Sequence, residues 1–368
     1  MPQAPLSSTP SPSASASSSP PPLPKPDQWF SLGDLSLSLG GQLPDAQLCY
    51  VTLGTLNAAG DNAILIEHGY TSSHRFVLPD DTDGPLGSWA PLIGPGRAID
   101  TDRYFVIAPN ALGSSDGSTG PADINPATQI PYGPDFPALQ FVDMVSAQYR
   151  LLCSLGVQRL HAVIGLSMGG FQAFQWAVQY PNFMRKVVPV LTAPWGSLNA
   201  KANQNSVLDR LKRHPNWHAG HYYPHRDELT ETLTDIRMDT LIRYGALDWL
   251  EKQHNNTAVA RRILTQIAKQ WASHFDPNAM IALRQTINRF DARDKLDSIK
   301  ADIMYVLSSS DQLFPLAIAQ ATLKPLRLAG LTPIYIELTS TYGHLASSIE
   351  WQKWEVPLAD FLNRDTIE

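Results

Sequence analysis

The chain has 368 residues, 43% of them hydrophobic, and a formal net charge of -6, enough for one large α/β domain with an insertion, or for two domains. The charge is mild and spread out, with no basic block or Lys/Arg stripe, which argues against a nucleic-acid partner. No stretch of about 18 apolar residues is available to span a membrane. Two cysteines, Cys49 and Cys153, lie in apolar stretches and read as small buried hydrophobes rather than a disulfide framework.

Residues 1–26 are built almost wholly from Pro, Ser and Ala, too little apolar surface to offset the entropy of ordering, so a disordered tail is expected. Prolines interrupt any unbroken apolar core that a signal peptide would need, and the expectation is a soluble, cytoplasmic protein. From Trp29 to Thr55 alternating apolar residues flank Gly40 and Gly41, the pattern of an antiparallel hairpin. Continuous β-rich runs follow at Ala63 to Glu67, Tyr104 to Ala108, Leu160 to Gly165, Lys186 to Thr192, Ile303 to Leu307 and Pro333 to Leu338. Runs buried on both faces belong to a mostly parallel, doubly wound sheet, so the expected class is α/β. Between residues 195 and 293 the composition shifts to His, Arg, Gln and Asn with helical periodicity and no convincing strand. This predicts a helical cap at 195–293, inserted between core segments 27–194 and 294–368.

The most informative stretch joins the strand ending at Gly165 to an amphipathic helix through Gly165-Leu166-Ser167-Met168-Gly169. This G-x-S-x-G pattern is a nucleophile elbow, which exposes the serine Oγ at the carboxyl edge of a sheet and needs small neighbours for the reversal. No Lys follows the last glycine and no G-x-G-x-x-G run exists, so a phosphate-binding loop is disfavoured and no cofactor is expected. In this architecture the acid follows a later strand and the histidine comes last. Asp311, in SSSDQLF, and His344, in TYGHLAS, occupy those places, the histidine as base and the aspartate as the group that fixes its tautomer. Asp116 is a rival acid, but it precedes the serine, and Asp311 could instead cap a helix or turn. His344 is the only histidine downstream of Asp311; His214, His218, His221, His225 and His254 crowd the cap without metal-ligand spacing, so no metal is expected. The oxyanion donors should be the backbone N–H of Met168 and, from the loop Glu67-His68-Gly69-Tyr70-Thr71, that of Tyr70.

From about Leu48 onward the chain resembles the homoserine O-acetyltransferase family of the α/β-hydrolase fold. The resemblance is carried by YVTLGTLNAAGDNAILIEHG, LIGPGRAIDTDRYFVIAPNALGSSDGSTGP, INPATQIPYGPDFP, SMGGFQAFQWAVQYP, HPNWHAGHYY and HFDPNAM, followed by DQLFP and YGH. It implies the triad Ser167, Asp311 and His344, a cap over the site, and a homodimer packed through cap helices. The sequence departs from the acylating members at three places in the expected substrate pocket. Leu345 stands where they have an aspartate, Leu208 where they have a cap arginine, and His274 where an arginine precedes their Phe-Asp pair. An amino-acid zwitterion would lose its partners in a partly desolvated pocket, so an apolar pocket is expected. The sequence is therefore read as closer to the family's esterases. The expected activity is hydrolysis of short-chain, acetate-like esters through an acyl-enzyme. The alternatives are acetyl transfer from acetyl-CoA to homoserine or another small alcohol, and a non-catalytic binding protein.

Overall fold

The computed structural model describes residues 27–79, 86–196 and 207–364; the expected tail, 1–26, lies outside them. Strands β1 (Gln28–Ser36) and β2 (Gln42–Leu53) pair antiparallel. The turn between them uses Gly40 and Gly41 at φ 88° and 87°, values that glycine adopts without a Cβ penalty. Then come β3 (Ala63–Glu67), a two-residue pair β4 (Ile93–Gly94) and β5 (Ile99–Asp100), and β6 (Phe105–Pro109). They are followed by β7 (Leu160–Leu166), β8 (Met184–Val190), β9 (Asp302–Ser308) and β10 (Ile334–Leu338). The eight-stranded sheet runs β1-β2-β6-β3-β7-β8-β9-β10. From β6 to β10 all of its neighbours are parallel, and β2 joins β6 antiparallel. The short β4–β5 pair has no sequence signal, since two residues cannot show a period.

Alternation along the strands divides the core into two layers. Ala63, Leu65, Val163, Tyr305 and Leu307 face one cluster, which takes in helices α1 (Phe141–Ser154) and α2 (Met168–Gln179). Ile64, Ile66, Ile164, Met304 and Val306 face the other. There Trp354, Leu358, Phe361 and Leu362 of the C-terminal helix (Gln352–Asn363) cover the sheet. This is why the strands read as continuous apolar runs. Cys49 is buried as expected, but Cys153 is exposed and both are free thiols. Cys153 sits on α1, whose buried face is formed by Phe141, Met144, Val145, Gln148, Leu151 and Leu152.

Between β8 and β9 the chain leaves the core at 194–196 and returns at 290–292, the two passages held together by Gly196 N–H to Phe290 O and Ala292 N–H to Pro194 O, both 2.8 Å. Among the described residues this insertion is helical, apart from the single bridge Trp195–Asp291. After a helical stretch at 207–212 it holds α3 (Thr230–Tyr244), α4 (Ala246–His254), α5 (Thr257–His274) and α6 (Pro277–Arg289). Asn256 and Asp276 cap α5 and α6 with side-chain oxygens that accept first-turn N–H groups. The α3–α4 corner is Gly245, at φ 96°; a Cβ there would lie 2.7 Å from the backbone of Tyr342. Only glycine lets the insertion close onto the loop that carries His344.

Candidate active site

Ser167 sits between β7 and α2 at φ 55° and ψ -110°, a conformation that strains any L-residue. The surroundings hold it there. Its N–H donates to Val190 O at 2.9 Å, and its carbonyl accepts from the Thr192 hydroxyl at 2.8 Å and from Gly170 N–H at 2.9 Å. A Cβ on Gly165 would meet Gly169 O at 2.0 Å, and one on Gly169 would meet Glu67 O at 2.1 Å. Both glycines of the motif are thus required by backbone contact. A third, Gly170, has Thr192 Cγ2 at 2.3 Å from its would-be Cβ.

Asp311 lies in the loop after β9 and His344 in the turn after β10. The imidazole Nδ1–H donates to Asp311 Oδ2 at 2.7 Å, while Asp311 Oδ1 accepts from Leu313 N–H and Phe314 N–H at 2.8 and 3.3 Å. With the proton on Nδ1, Nε2 carries the lone pair that a base needs. The rings of Tyr244 and Phe314 flank the imidazole at 4.9 and 5.8 Å between centroids. Ser167 and His344 line one small cavity with Gly69, Tyr70 and Leu345. Asp116 lies elsewhere, beside Cys49, where burial and the Asp27 and Asp116 carboxylates push the thiol up to about 12.

The two expected oxyanion donors flank the serine. Met168 opens α2, so its N–H has no partner inside the helix. A Cβ on Gly69 would lie 4.0 Å from Ser167 Cβ, which puts the Gly69–Tyr70 peptide at the nucleophile. His68 holds that peptide. Its Nε2 accepts from Ala111 N–H at 2.9 Å, so Nδ1 bears the proton and donates to Gly69 O at 2.8 Å. In a trans peptide the N–H points opposite to the carbonyl, so the His68 bond also sets the direction of the Tyr70 N–H. Burial lowers the His68 pKa to about 4, which keeps the ring neutral. Beneath the elbow, Gln148 Nε2 donates to Glu67 Oε2 at 3.0 Å and to Gln172 Oε1 at 2.9 Å, and its Oε1 accepts from Trp176 Nε1 at 2.8 Å. This buried network ties β3, α1 and α2 together, and burial raises the Glu67 carboxyl to about 8.

Ser167 also opens onto a chamber of about 260 Å³ under the insertion. Leu208 lines it, and Leu345 lines the smaller cavity while packing with Leu241, Leu247 and Leu264. His274 lies in neither lining; it is exposed at the end of α5, with Nδ1 against Gln270 O at 2.9 Å. Nor is the chamber apolar, as the departures at 208, 274 and 345 suggested. Arg210, Arg243, Arg284 and Asp239 all line it. Arg243 and Arg284 reach the chamber from other helices, a relation that position-by-position reading misses. One signal was available: Arg284 falls four residues after Met280 and three before Ile287, on the apolar stripe of α6.

A family model described as alpha/beta hydrolase fold matches residues 62–346. The homoserine O-acetyltransferase of Symbiobacterium thermophilum is 36% identical over 355 residues, spanning 89% of this chain and 91% of its own. Among solved structures, homoserine O-acetyltransferase from Bacillus anthracis superposes with a TM-score of 0.84 at 25% identity, covering 94% of this chain and 100% of that one. Esterase E22 does so at 0.82 and 27%, covering 92% and 100%. Many of the curated relatives, 30–36% identical over most of the chain, are homoserine O-acetyltransferases. That finding overturns the expectation of short-chain ester hydrolysis, and the arginines of the chamber remove its physical premise. The chain is an enzyme of the α/β-hydrolase superfamily, and within it belongs to the homoserine O-acetyltransferase-like family.

Proposed function

We propose that this protein transfers an acetyl group from a thioester such as acetyl-CoA to the hydroxyl of homoserine, by way of an acetyl-enzyme on Ser167. The observation that carries acyl transfer is the joint placement of a strained elbow serine and an Asp311-bound histidine around one cavity. The choice of homoserine as acceptor is supported by the similarity to homoserine O-acetyltransferases. Ser167 Oγ attacks the thioester carbonyl carbon and its proton passes to His344 Nε2. The oxyanion accepts from the N–H groups of Met168 and Tyr70, and the thiolate leaves with the proton from His344. In the second half the acceptor hydroxyl gives its proton to His344 and attacks the acetyl carbon, and Ser167 leaves as the alcohol. Asp311 holds the ring and stabilises its cationic form in both halves. An alcohol seated in the chamber outcompetes water through its effective concentration.

The test is thiol release from acetyl-CoA with and without homoserine, with product detection by mass spectrometry. The expected result is saturable O-acetylhomoserine formation faster than hydrolysis. Thiol release that homoserine leaves unchanged, with no acetylated product, refutes the reading.

A further inference from the structure

We propose that Arg284 is the anchor for a carboxylate on the acceptor, so that the chamber selects anionic hydroxy acids or hydroxy amino acids over neutral alcohols; this rests on the acetyl-transfer reading above. Three observations converge on it. Arg284 lines the chamber that Ser167 opens onto. Its Nη2 is buried without a hydrogen-bond partner among the described residues. And the other two chamber arginines are already accounted for. Arg210 Nη1 pairs with Asp239 Oδ2 at 2.6 Å, and Arg243 is exposed, where water screens its charge.

A guanidinium with one edge desolvated and no counter-ion among the described residues is an unfavourable arrangement in a closed protein. The side of Arg284 that meets the chamber is where compensation can come from, and a carboxylate matches the planar fork of donors. Arg284 is half-buried and lies near the reacting groups. Burial pushes the Tyr70 and Tyr244 hydroxyls up, and the charge of Arg284, with that of Arg237 at Tyr244, opposes it in both. Tyr70 belongs to the oxyanion loop and the Tyr244 ring lies tilted against that of His344. An anion on Arg284 would thus stand near the reacting centre, as the carboxylate of a short acceptor would. A chamber of about 260 Å³ suits a small molecule of this kind. The charge lost at Leu208 and His274 is supplied by a different turn of the insertion.

The same chemistry could come from the phosphates of acetyl-CoA, and the experiment separates the two. The readout is the ratio of kcat/KM for homoserine to that for 2-amino-1,4-butanediol, which lacks the carboxylate. In Arg284→Gln this ratio should fall on the order of 30- to 1000-fold, and Arg284→Lys, which keeps the charge but loses the fork, should fall in between. An unchanged ratio overturns the proposal, and a raised KM for acetyl-CoA with the ratio unchanged assigns the anion to the donor and also overturns it. A second measurement needs no transfer: competitive inhibition of thiol release from acetyl-CoA by L-2-aminobutyrate, in wild type and both variants. Arg284-dependent inhibition without any O-acetylhomoserine would support the carboxylate site while refuting the homoserine reading. Equal inhibition constants in wild type and Arg284→Gln, or no inhibition of wild type, would overturn the site itself.

Discussion

Replacing Glu67 by Gln should stabilise the protein, and by an amount that depends on pH. The carboxyl closes β3 directly below the elbow, fully buried, and burial raises it to about 8 from the ordinary 4.5 or so. The folded state therefore holds a proton that the unfolded chain gives up from about pH 4.5 upward. Stability from this group is fully present below pH 4.5 and is lost as the pH rises to about 8. Each pH unit in that window is worth about 1.4 kcal/mol. By pH 7 the loss is on the order of 3 kcal/mol, and above pH 8 on the order of 5 kcal/mol. Gln cannot ionise and keeps an oxygen for Gln148 Nε2, so Glu67→Gln escapes the loss. Urea unfolding of both proteins at pH 5, 7 and 8.5 gives the difference directly, because every other titrating group cancels between them. The two should differ by less than about 1 kcal/mol at pH 5 and diverge with rising pH. A difference independent of pH would show that Glu67 is ionised in the folded protein, and would refute the reasoning.

Ser167→Ala should lower acetyl-enzyme formation at least ~10⁴-fold with the urea midpoint little changed; retention of a few per cent of the wild-type rate would exclude Ser167 as nucleophile. Gly169→Ala forces a Cβ to 2.1 Å from the Glu67 carbonyl oxygen, a backbone atom that cannot swing aside. A destabilisation of about 3 kcal/mol or more is expected by urea unfolding, and wild-type stability would contradict the packing described for the elbow. His68, held near a pKa of 4 by burial, makes the unfolded chain take up its proton first as the pH falls. Stability is whole above about pH 6.5 and declines toward pH 4 by on the order of 3 kcal/mol. His68→Asn should flatten that acid limb while slowing acetyl-enzyme formation on the order of 10- to 100-fold through the freed Gly69–Tyr70 peptide. An unchanged limb together with an unchanged rate would remove His68 from its positioning role.

The parallel core and the elbow were legible in the sequence because both depend on local rules. Strands buried on two faces must be apolar at every position, as AILIE and LHAVIGL nearly are, and a strained reversal around a serine needs glycine on both sides. The order of Ser167, Asp311 and His344 along the chain likewise follows from which strand each one succeeds. The rest was decided only when distant turns met. Glu67 reads as a strand end and Gln148 as a helix residue, and their shared buried network requires α1 to lie across β3. Cys153 reads as apolar context, yet the face of α1 that it occupies is set by what α2 and the sheet cover. The character of the acceptor chamber depended on this most. Substitutions at 208, 274 and 345 suggest an apolar pocket when read one position at a time, but a cavity is lined by whichever side chains the packed helices deliver. Here α6 delivers Arg284, whose buried Nη2 has no hydrogen-bond partner among the described residues, to the wall that Leu208 also lines. Charge at a site is a property of a volume, and a linear sequence does not specify which residues will share it.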